Sequence, residues 1–125
     1  MRTPSRTLTG QELEIMKVVW ELRQATVRDV YEKLREQRPI AYTTVMTMMN
    51  ILEQKGFLKK AQTDGRAYVY HSARPRKQVV RSMVREFVDR VFNGSAEPLM
   101  AQLVEDSHLS REEVEKIARA IEEGQ

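Results

Sequence analysis

Between Leu8 and Leu22 the apolar residues fall on a helical period: Leu13, Met16 and Trp20 share one stripe, with Ile15, Val19 and Leu22 beside it. The pattern predicts a helix with a wide buried face. Its start is marked locally. Thr9 and Glu12 have capping-box spacing, and Leu8 and Leu13 stand at the two staple positions around that cap. A second cap, Thr26 with Asp29, opens a short helix through Val30, Tyr31 and Leu34 that must end before Pro39. A third helix is predicted from about Tyr42 to Lys55, with Gly56 where a left-handed C-terminal cap belongs.

After Gly56 the helical period gives way to alternation. Phe57 and Leu58 begin an extended stretch, Asp64-Gly65 reads as a two-residue hairpin turn, and Ala67 to Tyr70 returns as a second strand. Beyond Arg74-Pro75 the helical period resumes, with Pro75 suited to a first helical position. Val80, Val84, Phe87 and Val91 lie on one stripe as far as Asn93-Gly94, and a further helix carries Leu99, Met100, Leu103 and Val104. The last helix opens with Ser110 and Glu113 as a capping box and brings Val114, Ile117 and Ile121 to one face. The six residues before Thr7 are polar and basic and are expected to be a frayed tail.

Length limits what these elements can do alone. Residues 7–74 suffice for a small domain, but residues 75–125 are too few for a comfortable core, which predicts that a partner covers them. A second copy of the chain is the simplest partner. The expected dimerisation face is Val80, Val84, Phe87, Val91, Leu99, Leu103, Ile117 and Ile121. Charge also divides the chain: residues 1–74 carry 13 basic against 8 acidic side chains, residues 75–125 carry 8 against 10. The first part is therefore the candidate for a polyanionic partner. With no cysteine there is neither a disulfide framework nor a thiolate metal site, as suits a reducing cytoplasm. No signal-peptide core and no apolar run of membrane-spanning length occurs, so no membrane partner is expected.

The third helix carries the candidate chemistry. Val45, Met49 and Leu52 fall within a narrow arc with Met48 on its shoulder, while Thr43, Thr47, Asn50 and Gln54 cluster opposite. The polar side has short hydrogen-bonding side chains and no acid, so it can approach base edges and phosphates without repulsion. Asn50 could pair with an adenine edge, and the Thr methyls and Met46 could touch thymine methyls. Three helices followed by a hairpin are the order of a winged helix-turn-helix, whose second motif helix enters the major groove. The fold class is thus mainly α, a winged helix-turn-helix followed by a helical dimerisation domain. Thr43, Met46, Thr47 and Asn50 are the candidate DNA-facing residues of the helix, with Tyr42 at its start. Lys59, Lys60 and Arg66 in the hairpin are candidate phosphate contacts.

Three stretches, LTGQELEIMKVVW from Leu8, AYTTVMTMMNILEQKGFL from Ala41 and GRAYVY from Gly65, resemble the penicillinase repressor (BlaI/MecI) family. FNGS from Phe92 and LSREEVEKI from Leu109 fit it too. The resemblance implies a homodimeric repressor on a palindromic double-stranded operator, with Thr43, Thr44, Met46 and Thr47 at DNA-reading positions and Arg66 in the wing. It also implies a sensor protease or other signalling protein as a further partner. The chain departs from the family pattern twice. Ile51 stands where many members have Arg, and Gln102-Leu103 stands where antibiotic-responsive members are cut at Asn-Phe. Copper-responsive relatives sense metal through clustered cysteines, which this chain lacks.

Other function classes find less support. No catalytic residue is expected, since there is no Cys nucleophile or Gly-rich phosphate loop. His71 and His108 have no ligand-spaced partner and read as surface or interface residues, so no metal or cofactor is expected. A winged helix used only for protein contact remains the alternative; it predicts no salt-dependent affinity for duplex DNA. No residue pattern marks a pocket for a small-molecule inducer.

Overall fold

The computed structural model describes residues 7–63, 65, 67–106 and 109–123, apart from the side chains of residues 121 and 122. Within these residues the chain runs α1 (Gly10–Leu22), β1 (Gln24–Ala25), α2 (Val27–Arg35), α3 (Tyr42–Gln54), β2 (Leu58–Gln62), β3 (Tyr68–Ser72), α4 (Arg76–Phe92), α5 (Ala96–Glu105) and α6 (Arg111–Glu123). The capping boxes form as the spacing predicts. Thr9 Oγ1 accepts from the Glu12 N–H while the Glu12 carboxylate accepts from the Thr9 N–H, and Thr26 with Asp29 and Ser110 with Glu113 repeat the exchange. At the end of α3, Gly56 takes φ 87°, and the Phe57 and Gly56 N–H groups donate to the Leu52 and Glu53 carbonyls. This is a Schellman cap, closed over by the buried side chains of Phe57 and Leu52.

The chain forms two compact units, one ending at Met83 and the other spanning residues 84–125. In the first, α1, α2 and α3 pack with a small antiparallel sheet of order β1-β3-β2. Ile15, Met16, Val19, Val30, Val45, Met49, Leu52 and Leu58 are its largest fully buried side chains, each worth about 1.5 to 3 kcal/mol removed from water. This arrangement is a winged helix-turn-helix. The first unit runs past Arg74-Pro75, the expected domain boundary, because Val79 is buried in the core cluster and Met83 packs against it.

Three details depart from the sequence reading. The sheet has a third strand, β1, whose Gln24 and Ala25 pair with His71 and Tyr70. The hairpin ladder pairs Gln62 with Tyr68, and the Thr63 N–H donates to the Ala67 carbonyl. This register does not fit a two-residue turn at Asp64-Gly65; Asp64 and Arg66 themselves lie outside the described residues. Pro75 precedes α4 rather than opening it, its carbonyl accepting from the Gln78 and Val79 N–H groups.

In the second unit Val88 is buried and the rings of Phe87 and Phe92 meet edge to face at 5.9 Å. Asn93 and Gly94, both at positive φ, end the turn after α4. No residue of α5 is buried.

Candidate nucleic-acid interface

The two sides of α3 differ sharply. Val45, Met49 and Leu52 are wholly buried, while Tyr42, Thr43, Thr44, Met46, Thr47 and Asn50 are all exposed. The buried side anchors the helix to the core, so the other stands as a ridge of short polar side chains on a rigid base. Ile51, at 39% exposure, extends this surface with an apolar group.

The start of α3 differs from those of α1 and α2. Its N-cap is Ala41, which offers no side-chain acceptor, and the first turn contains no acid. The early N–H groups and the positive end of the helix dipole are thus left for solvent or for an anion. Arg28 from α2 sits 5.5 Å from the Tyr42 ring, and that ring meets Tyr31 edge to face at 5.5 Å. Together these contacts fix Tyr42 at the foot of the ridge.

On the hairpin side, Lys59 is exposed, whereas Lys60 is held: its Nζ lies 3.6 Å from Glu53 Oε1 and 4.6 Å from the Tyr68 ring. Arg66 lies outside the described residues. A cavity of about 640 Å³ opens between the start of α2, α3 and the hairpin, bordered by Arg28, Tyr42, Met46, Asn50, Lys60 and Tyr68. Asn50 is not a free amide, since its Oδ1 accepts from the buried Tyr70 hydroxyl at 3.3 Å. Burial raises the Tyr70 pKa above its usual 10.0, so the phenol stays protonated and able to donate.

Sequence reasoning missed Arg28, Tyr68 and Tyr70. Arg28 carried one visible signal, its place in the first turn of a helix joined to α3 by a short loop. The two tyrosines carried none beyond strand preference.

The expected dimerisation residues differ in exposure. Val84, Phe87 and Val91 of α4 are 42 to 51% exposed and Ile117 of α6 is 44% exposed. Val80, Leu99 and Leu103 are half-buried, and the Ile121 side chain lies outside the described residues, as does His108. Gln102 is exposed within α5, its amide donating to the Asp106 carboxylate. Among the described residues, no group of three or more metal-ligating side chains comes together and no helix is long and apolar enough to cross a membrane.

The sequence model of the penicillinase repressor family matches residues 8–123. This chain belongs to that family. Among its relatives, the penicillinase repressor of Bacillus licheniformis is 27% identical over 116 residues, covering 93% of this chain and 90% of its own. The transcriptional regulator BlaI of Mycobacterium tuberculosis (strain CDC 1551 / Oshkosh) is 31% identical over 114 residues, 90% of this chain and 80% of the relative. The solution structure of the Bacillus licheniformis BlaI monomeric form, in complex with the blaP half-operator, is 28% identical to this penicillinase repressor family member. It superposes with a TM-score of 0.50 over 61% of this chain and 89% of that one.

Proposed function

We propose that this chain is a DNA-binding transcriptional repressor that acts as a homodimer on a palindromic operator. The observation that carries the reading is the division of α3: a fully buried apolar side that fixes the helix, and an exposed ridge with no acid among Tyr42, Thr43, Thr44, Met46, Thr47 and Asn50. Membership of the penicillinase repressor family, and the half-operator complex of a structural relative, support assigning duplex DNA to that ridge.

In this reading the short side chains of α3 contact base edges in the major groove. The uncapped start of α3, with Arg28, Lys59, Lys60 and Arg66, contacts phosphates and supplies the salt-dependent part of the affinity. Val84, Phe87, Val91 and Ile117 are covered by a second copy, together with Val80, Leu99, Leu103 and Ile121. A segment of this length with so little buried interior supports that assignment. Two-fold symmetry then sets two half-sites about 34 to 36 Å apart, or a multiple of that spacing. The protein works where the DNA is, in the cytoplasm, and the reading assigns no enzymatic step. Inactivation by a sensor protease would fall on Gln102-Leu103 inside α5, and requires that helix to open locally first.

Selection of bound duplexes from a random pool tests the reading. The expected product is an inverted repeat of two short half-sites. A pool that never enriches, or enriches only single sites, contradicts it.

A further inference from the structure

A second concavity lies where the end of α1, the end of β3 and the start of α4 meet, and it shares no residue with the cavity beside α3. Its volume is about 510 Å³. Val19, Trp20 and Pro75 give it an apolar lining, while the basic residues Arg23 and Arg76, with His71, line the same space. The indole is fixed in place: Trp20 Nε1 donates to Ser72 Oγ at 3.1 Å, and Ser72 Oγ donates in turn to the Arg74 carbonyl at 2.6 Å.

Two arginines line this cavity without an acid to neutralise them. The Arg76 guanidinium lies 5.6 Å from the Trp20 ring centre, a contact that orients the group and leaves its charge intact. Arg23 holds the left-handed position that ends α1, with φ 74°. Among the described residues neither has an ion-pair partner, and no residue lining the cavity is acidic. Arg74 also lines the cavity, but its guanidinium lies over Phe57, 5.0 Å from that ring. Guanidinium groups with no acid partner beside an apolar wall suit a carboxylate or phosphate carried on an apolar body. A bare inorganic ion would leave that wall wet.

We propose that this cavity binds a small organic anion, its acid group held by Arg23 and Arg76 and its apolar body lying against Trp20 and Pro75. Binding at this place does not depend on the DNA reading, since none of these residues belongs to the α3 ridge.

Trp20 is the single tryptophan of the chain, so its indole N–H gives one resonance that reports the site alone. The full chain is titrated with benzoate at constant ionic strength, and with neutral benzamide in parallel, following that resonance. The expected result is a saturable shift with benzoate and binding about tenfold weaker for benzamide. Arg23→Gln and Arg76→Gln should each weaken benzoate by a similar factor. Both side chains are exposed, and an otherwise unchanged spectrum verifies the fold. A shift that grows linearly without saturating, that is equal for benzamide, or that survives both substitutions overturns the proposal.

Discussion

The Tyr70 hydroxyl donates to Asn50 Oδ1, a link between a buried strand residue and an exposed position of α3 that lies 20 residues earlier. Because Oδ1 is engaged, the Nδ2 donors are what the amide has left to offer a ligand. In that state Asn50 suits acceptors such as guanine N7 and O6, thymine O4 or a phosphate. It is less suited to the two-atom pairing with adenine that an unconstrained Asn makes. Tyr70→Phe keeps the ring and releases the amide. Its expected effect is a change of preference at one operator base pair by about 1 to 3 kcal/mol, measured by comparing affinities across single-base operator variants. The stability cost should be only about 1 kcal/mol.

Glu12 gives the fold a defined response to acid. Burial would raise its pKa, but hydrogen bonds from Lys55 Nζ at 2.8 Å and from the Thr9 N–H at 2.9 Å outweigh that and hold it below 4.5. A carboxylate depressed in the folded state adds stability above its unfolded pKa and loses it as pH falls through the folded value. Urea midpoints of the wild type should therefore drop from about pH 4.5 downward, and Glu12→Gln should lack this limb. At neutral pH Lys55→Met leaves the buried carboxylate without its cation, with an expected loss of about 1 to 3 kcal/mol in the same measurement.

The α4 stripe predicts a charge-sensitive assembly. Phe87→Glu places a carboxylate among Val84 and Val91, which are themselves about half exposed in the single chain. The first unit should keep its stability, because Phe87 is outside its core, while the second unit loses the edge-to-face contact with Phe92. Sedimentation should show monomers that still fold and that bind a full operator little better than a half-site. An unchanged dimer would show that this face is not the dimer contact.

What the sequence made legible was local. Thr9 with Glu12, Thr26 with Asp29, and the Gly56 cap are contacts between near neighbours, so residue type and spacing determine them. The apolar period marked the buried side of α3 for the same reason. Contacts between distant residues were hidden: Glu12 meets Lys55 across 43 positions, and nothing in either residue's surroundings announces the pairing. Strand β1 was invisible because two residues carry no period. The candidate site was legible as a helix face, but Arg28 and Tyr70 reach it only through tertiary packing. The cavity beside Trp20 draws on α1, β3 and α4 at once, which no single stretch of sequence records.

If the exposed ridge of α3 reads DNA sequence, single substitutions on it change operator preference. Affinity for the selected operator and for a scrambled duplex, measured across a salt series with wild type, Thr47→Ala and Lys59→Ala, tests it most directly. Thr47→Ala should narrow the gap between the two duplexes by about 1 to 3 kcal/mol at unchanged salt slope, while Lys59→Ala should weaken both equally and reduce the slope by about one. If Thr47→Ala leaves the operator preference intact, and equivalent changes at Thr43 and Asn50 do the same, the ridge does not read DNA.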